Sequence, residues 1–258
     1  MEVNLNCDLG EKSRFYNGIN DPALMQIINT ANIACGYHAG NKEVIDSTVK
    51  LAKKNDVSIG AHPGFKDKKN FGRKRIYLEK KELQKIILAQ LITIDKIAKK
   101  NKWPITHVKP HGALNNMACE DFDIANTIGE TIKNFRKDLI YLVLPFSKME
   151  KSAQKLNLNY ACEIFADRNY HDDGNLLPRS NINSLITNAN IASKNILEML
   201  DTSSIKCFSG KKLKCNIDSI CIHGDNLNAV IISKKIVKTL KINNIKLKKL
   251  NKLKKFKL

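Results

Sequence analysis

The sequence has 258 residues and a formal net charge of +19, with 44 Lys and Arg against 25 Asp and Glu. A chain of this length buries roughly 75% of the surface that it exposes when unfolded, so it can form one large α/β domain. No apolar run reaches the roughly 18 residues that a membrane-spanning helix needs. The seven cysteines include no Cys-x-x-Cys pair. This disfavours a disulfide framework and a structural zinc site, and it favours a reducing cytoplasm.

The positive charge raises the question of nucleic-acid binding. Only six of the 44 basic residues are Arg, although Arg is the better bidentate ligand for phosphates and bases. Lys, Asn and Ile are abundant throughout, so the charge follows the overall composition and not a local patch. We therefore expect neither a nucleic-acid nor a membrane partner. Residues 246–258 are predicted to form a basic, solvated tail after a domain that spans residues 1–245.

Strand and helix patterns alternate from the N-terminus onward. Ser147 to Glu150 reads as a capping box, and residues 78–102 form the longest amphipathic helical pattern. Residues 205–216 read as a hairpin that turns at Ser209-Gly210. Strands that alternate with helices favour one parallel α/β domain. The seven predicted strands are Val3–Asp8, Ala31–His38, Val57–His62, Ile105–Lys109, Leu139–Pro145, Ala161–Asp167 and Ser219–His223.

The period-2 alternation within these strands separates a barrel from an open sheet. In the first strand Asn4, Asn6 and Asp8 share one face, and apolar residues share the other. In the fourth strand His107 and Lys109 likewise lie on one face. An open sheet covered by helices on both sides would be apolar on both faces. A closed barrel with a polar mouth at the carboxyl ends of its strands explains the pattern better.

Ionisable side chains end most of the predicted strands and should meet at this mouth. Carboxylates beside imidazoles and a lysine are the groups that general acid–base catalysis uses. The Asp167-Arg168 pair could also be an ion pair that ties two loops, and His107 is predicted to fill the barrel interior. The residues expected at the mouth are Asp8, Glu11, His38, His62, Lys109, His111, Glu163, Asp167, Arg168, His223 and Asp225, with Arg73 and Arg179 reaching over it from loops.

A metal-dependent chemistry stays open at this point. The sequence has neither a phosphate-binding P-loop motif nor His-Glu-x-x-His. However, His38, His62 and His111 could bind a divalent metal together with Asp8 or Asp225, because barrel sites gather ligands from distant strands. The alternative function is therefore a metal-dependent amide or sugar deacetylase, which would hold a metal tightly and act without ATP.

Eight blocks, in order along the chain, resemble the LamB/YcsF family. The similarity runs from Val3 to about Ile245. The family supplies the A subunit of the prokaryotic 5-oxoprolinase. The blocks are NLNCDLGE (4–11), ANIACGYHAGN (31–41), IGAHPGF (59–65), FGR (71–73), HVKPHGALNNMA (107–118), EIFADRNY (163–170), DGNLLPR (173–179) and ICIHGDN (220–226).

The resemblance implies a single-domain (β/α)7-type barrel, related to glycoside hydrolase/deacetylase barrels. It also implies a cytoplasmic enzyme that hydrolyses the lactam of 5-oxo-L-proline to L-glutamate, ADP and phosphate, with subunits B and C as partners. ATP is expected as co-substrate with Mg²⁺, and no tightly bound metal is expected. Association between copies of the chain is left open.

The family motifs also suggest site residues. Arg73, Arg168 and Lys109 are expected to hold phosphate or carboxylate groups, whereas Asp8, His111 or Glu163 would activate water or protonate the departing nitrogen. The expected catalytic residues are Asp8, His38, His62, Lys109, His111, Glu163 and Asp225. The expected substrate- or phosphate-binding residues are Asn6, Arg73, Arg168, Arg179 and His223.

Overall fold

The computed structural model describes residues 1–257, in which parallel strands and helices alternate along the chain. Its strands are β1 (Glu2–Leu9), β2 (Thr30–Ala34), β3 (Ser58–His62), β4 (Ile105–Val108), β5 (Ile140–Val143), β6 (Tyr160–Phe165), β7 (Ser204–Lys206), β8 (Lys212–Lys214), β9 (Ser219–His223) and β10 (Lys246–Leu247). Its α-helices are α1 (Asp21–Met25), α2 (Lys42–Lys54), α3 (Lys80–Lys100), α4 (Gly112–Glu120), α5 (Phe122–Phe135), α6 (Lys148–Lys155), α7 (Ala189–Thr202) and α8 (Ala229–Ile242).

Seven strands form a closed barrel. The hydrogen-bonded order is β1-β2-β3-β4-β5-β6-β9, and β9 also pairs with β1, which closes the sheet. All these pairings are parallel. Strands β7 and β8 form the predicted antiparallel hairpin outside the barrel. The predicted seven-stranded α/β barrel in one domain is confirmed. Among residues 1–257, no helix is both long and apolar enough to cross a membrane.

The polar face of each strand lies inside the barrel, as the alternation predicts. Asn6 donates to the carboxylate of Glu163 across the interior, at 2.7 Å. His107 fills the middle of the barrel, and its Nε2 is 2.7 Å from Oδ1 of Asn32. Gly60 leaves room for this ring, because a Cβ built there would lie 2.3 Å from it. The apolar residues of the same strands belong to the core that packs against the helices.

The C-terminal segment is where the structure departs from the sequence prediction. Residues 246–257 do not form a solvated tail: β10 pairs with the first residues of β1, and two short 3₁₀ turns follow it. Leu250 and Leu253 are buried against Ile140 and Leu142 of β5. The prediction was wrong because it was based on the many lysines of the segment and did not consider the two leucines among them. These leucines close the amino-terminal end of the barrel, opposite the mouth.

Leu250→Ala should therefore destabilise the whole domain. The side chain is fully buried, so its truncation leaves a cavity that typically costs about 2–5 kcal/mol. The free energy of unfolding, measured by urea denaturation, should fall by that amount. Lys252→Ala in the same turn is the control, because Lys252 is exposed. Equal stability of the two variants would contradict a structural role for the segment.

Candidate active site

A cavity of about 320 Å³ opens at the carboxyl ends of the barrel strands. Its floor and walls include nine of the twelve side chains predicted for the site. The other three are buried behind its wall: Asn6 and Glu163 lie beneath Lys109, and His38 lies behind His111. The nine are Asp8, His62, Lys109, His111, Asp225, Arg73, Arg168, Arg179 and His223.

Lys109 follows directly after β4 and lies at the centre of the floor. Its Nζ donates to Oδ1 of Asp8 at 2.9 Å and to Sγ of Cys221 at 2.9 Å, and it lies 3.1 Å from Oε2 of Glu163. These three partners match the three N–H groups of an ammonium. Burial lowers the pKa of Lys109, but the neighbouring groups, Asp8 first among them, raise it by more than burial lowers it. The pKa of Lys109 is therefore well above its usual value. Lys109 is therefore a charged group.

The pKa values of the two carboxyl groups beside Lys109 are shifted in opposite directions. Burial raises the pKa of Asp8, but His62 in its protonated form and the permanent charge of Lys109 outweigh burial and hold the pKa below its usual range. For Glu163, burial dominates and raises the pKa, although Lys109 opposes it. Asp8 lines the cavity and is ionised. Glu163 lies underneath, where it is held by Asn6 and Lys109.

Asn6 positions this network and does not reach the cavity. Its amide nitrogen donates to Oε1 of Glu163 and to Oγ of Ser219, at 2.7 and 2.8 Å. Its amide oxygen accepts from Asn32, which also donates to Asp8, both at 2.7 Å. Because all its polar atoms are engaged in the interior, Asn6 orients Glu163 and does not contact a ligand.

One wall of the cavity is a cluster of three imidazoles around one carboxylate. Oε1 of Glu11 lies 3.1 Å from Nε2 of His38, 3.1 Å from Nδ1 of His111 and 3.7 Å from Nε2 of His62. Nε2 of His62 is also 3.5 Å from Oδ2 of Asp8. Burial lowers the pKa of His38 to about 4 and that of His62 to about 3. Both rings are therefore neutral near pH 7.

Backbone carbonyls and a glutamine hold this cluster in place. Nδ1 of His62 is 2.7 Å from the carbonyl of Lys109, and Nε2 of His111 is 2.8 Å from the carbonyl of Phe71. Gln90 of α3 binds both the N–H and the C=O of Gly64, each at 3.0 Å, and so fixes the loop after β3. This explains why a polar residue lies on the apolar face of α3.

Loops carry the charged rim of the mouth. Arg73 donates to Oδ2 of Asp225 at 2.7 Å, which joins the loops after β3 and β9. Gly72 has a φ of +65°, and a Cβ there would lie 2.7 Å from His38 and 2.8 Å from His111. Glycine therefore lets the Arg73 loop pass over the imidazoles.

The opposite wall is built on Asp167, which pairs with His223 and not with Arg168. Nδ1 of His223 lies 2.9 Å from Oδ1 of Asp167. Arg168 instead donates to the backbone carbonyls of Ser184 and Leu177, at 3.2 and 2.5 Å. Burial and the nearby charge of Arg179 lower the pKa of Arg168 to about 10, so it stays charged at neutral pH. The alternative in which Asp167 and Arg168 form an ion pair is therefore not what the structure shows.

Two residues, Glu11 and Asn32, lie closer to the centre of the site than the sequence patterns indicate. Glu11 was expected at the mouth but received no catalytic role, although three imidazoles surround it. Asn32 was missed, yet it lies on the polar parity of its strand, between Ala31 and Ile33. The alternation could have identified Asn32, whereas the position of Glu11 depends on a loop after β1 that no periodicity describes.

Residues 3–255 match the sequence model of the LamB/YcsF family. The chain belongs to this family. The match continues past Ile245 and so includes most of the C-terminal segment. A relative from Clostridium beijerinckii, named as the A subunit of 5-oxoprolinase, is 40% identical over 252 residues, which are 98% of this chain and 99% of the relative.

Solved structures place this LamB/YcsF member among similar barrels. The Lactam Utilization Protein from Thermus thermophilus superimposes with a TM-score of 0.89 at 33% identity, over 96% of this chain and 99% of that protein. The catalytic domain of a peptidoglycan N-acetylglucosamine deacetylase from Eubacterium rectale gives a TM-score of 0.51 at 9% identity, over 96% and 87% of the two chains. The latter likeness concerns the fold alone, and it agrees with the predicted similarity of this barrel to deacetylase barrels.

The buried ring of His107 should make this LamB/YcsF protein sensitive to acid. Burial lowers the pKa of His107 to about 3, whereas histidine in an unfolded chain has a pKa of about 6.5. Between these values the unfolded chain binds the proton and the folded chain does not, so the free energy of unfolding falls as the pH is lowered.

His107→Gln retains an N–H donor for Asn32 but removes this titration. The free energy of unfolding can be measured by urea denaturation between about pH 6.5 and pH 4. In this variant it should depend less steeply on pH than in the parent chain, by up to about 1.4 kcal/mol per pH unit. Parallel pH profiles of the parent chain and the variant would contradict the assignment.

Proposed function

We propose that the chain is the A subunit of a 5-oxoprolinase, which hydrolyses the lactam of 5-oxo-L-proline to L-glutamate at the expense of ATP. The observation that carries the proposal is the 40% identity, over almost the full length of both chains, to a relative that bears this name. The name also supports action with partner subunits, B and C, and we place the complex in the cytoplasm.

The chemistry requires activation of a poor electrophile. Attack of the lactam oxygen on the γ-phosphorus of ATP releases ADP and leaves a phosphorylated ring. Water then adds to the ring carbon, and the carbon–nitrogen bond breaks as the nitrogen takes a proton, which gives a glutamyl phosphate. A second water releases phosphate and glutamate. We propose ATP, with Mg²⁺, as the co-substrate of the complete complex.

The charged rim suits the anionic groups of this reaction. Arg73, Arg168 and Arg179 all line the cavity, and guanidinium groups bind phosphate and carboxylate oxygens in pairs. Lys109 has all three N–H groups engaged, so it acts mainly by keeping Asp8 ionised. The arginines are therefore the better ligands for phosphate or for the substrate carboxylate.

The floor of the cavity offers the acid and base. Asp8 is ionised and lies beside His62, and His111 also lines the cavity. An imidazole hydrogen-bonded to a carboxylate can take a proton from water and return it to the departing nitrogen. We propose Asp8 and His111 for these two transfers, with His38 and Glu163 as positioning residues. His223 and Asp225, on the far side, would orient the substrate.

The test is glutamate release from 5-oxoproline by the chain with its two partner subunits and ATP. Asp8→Asn and His111→Gln should each lower kcat by roughly 10²–10⁴-fold, as expected for the loss of a proton-transferring group. Asp201→Asn, on the exposed face of α7, is the matched control and should retain full activity. Absence of glutamate with folded chain, partners and ATP together would refute the proposed function. Unchanged kcat in both variants would refute the proton-transfer roles of Asp8 and His111.

A further inference from the structure

The cluster of Glu11, His38, His62 and His111 brings electron-pair donors close together in a buried position. All four side chains are buried, and one potential ligand atom from each lies within 4.8 Å of the others. Nε2 of His62 and Nδ1 of His111 are only 3.0 Å apart. Whether this pair is a hydrogen bond depends on which nitrogen of each ring carries its hydrogen.

The backbone decides the tautomer of both rings. The other nitrogen of His62 lies 2.7 Å from the carbonyl of Lys109, and the other nitrogen of His111 lies 2.8 Å from the carbonyl of Phe71. A carbonyl only accepts hydrogen bonds, so each of those nitrogens carries the hydrogen. When both imidazoles are neutral, the two nitrogens that face each other in the cluster therefore both present lone pairs, and neither can donate to the other.

A positive species between the two lone pairs would remove the conflict. Glu11 supplies a third electron pair, because its Oε1 lies 3.1 Å from Nδ1 of His111 and 3.7 Å from Nε2 of His62. Ligands at about 2.0–2.2 Å from a tetrahedral ion are separated by roughly 3.4 Å. The three separations in the cluster, 3.0, 3.1 and 3.7 Å, bracket this value. A hydrogen bond from ring nitrogen to carbonyl is also the usual support of a metal-binding histidine.

We propose that the chain binds one divalent transition-metal ion through Oε1 of Glu11, Nε2 of His62 and Nδ1 of His111. These three residues, but not His38, line the mouth cavity, so the remaining coordination positions would face the space that a water or a substrate oxygen occupies. A metal there would polarise such an oxygen. This site departs from the sequence-based expectation of no tightly bound metal, and its binding does not depend on the proposed reaction. With the ion bound, both ring nitrogens of His111 are engaged, so Asp8 would be the proton-transferring group and His111 a metal ligand.

His38 is a positioning residue for this site. Its ring is stacked on that of His111, with centroids 3.7 Å apart and planes 5° apart, so the two rings cannot point at the same ion. Its Nε2 lies 3.1 Å from Oε1 of Glu11 and can donate to the carboxylate. Its Nδ1 is buried without a partner, so the contact with Glu11 is the polar interaction that fixes the ring.

The donor set favours particular metals. Two imidazoles and a carboxylate suit Zn²⁺, Fe²⁺, Co²⁺ and Ni²⁺, whereas Mg²⁺ prefers oxygen ligands and retains its water. The site is therefore distinct from any Mg²⁺ that accompanies ATP. Zn²⁺ is the probe for affinity, and Co²⁺ is the probe for geometry, because its visible absorption reports the coordination.

The test uses the full-length chain after removal of metals with a chelator. Calorimetric titration with Zn²⁺ should give one equivalent per chain, and Zn²⁺ should raise the Tm because it binds only the folded state. Glu11→Gln and His62→Gln should each abolish the binding of this Zn²⁺ ion. His38→Gln should retain the stoichiometry and weaken the affinity by about 10–100-fold, as for other residues that orient a metal ligand.

His223→Gln is the matched control, since this imidazole lies at the same mouth but contacts Asp167. It should bind Zn²⁺ with the affinity of the parent chain. The proposal is overturned if the folded parent chain binds no Zn²⁺, in which case a proton shared by His62 and His111 resolves the conflict. It is also overturned if Glu11→Gln and His62→Gln bind Zn²⁺ as the parent does. Neither result depends on ATP or on partner subunits, so failure here is distinguishable from failure of the proposed lactam hydrolysis.

Discussion

The ammonium group of Lys109 lies in the barrel interior between the carboxylates of Asp8 and Glu163. Without this cation, two buried carboxylates would face each other in a medium of low dielectric, where like charges are costly. Removal of one member of such a group leaves the others uncompensated. The strands β1, β4 and β6 are therefore joined by charge as well as by backbone hydrogen bonds, and the positions of Asn6 and Asn32 follow from the need to satisfy the carboxylate oxygens.

The two walls of the mouth differ because they rest on opposite sides of this central ion pair. On one side three buried imidazoles, of which His38 and His62 are neutral near pH 7, surround the carboxylate of Glu11. On the other side Asp167 holds His223, and arginines line the loops. One wall presents lone pairs and the other presents positive charge. A substrate bound between them would meet electron-pair donors at one end and cationic groups at the other, which fixes its orientation before any reaction occurs.

Much of this arrangement was predictable from the strands, and little of it from the loops. The alternation of Asn4, Asn6 and Asp8 identified the interior face correctly, because a strand has only two faces. The partner of Asp167 and the importance of Glu11 were not predictable, since both depend on loop conformations and on contacts between residues far apart in sequence. The burial of Leu250 and Leu253 was not predicted, because the lysine-rich composition of the segment indicated an exposed tail. Composition is an average over a segment, whereas burial depends on single residues.

The C-terminal segment has a consequence for how the chain can fold. Asn4 of the first strand donates to the carbonyl of Lys248, and β1 also pairs with β9 and β10. The first strand that leaves the ribosome thus lacks two of its three partner strands until synthesis is almost complete. Contacts between such distant segments form slowly. We expect the nascent chain to depend on contacts with the early helices to shield β1 until β9 and β10 are made.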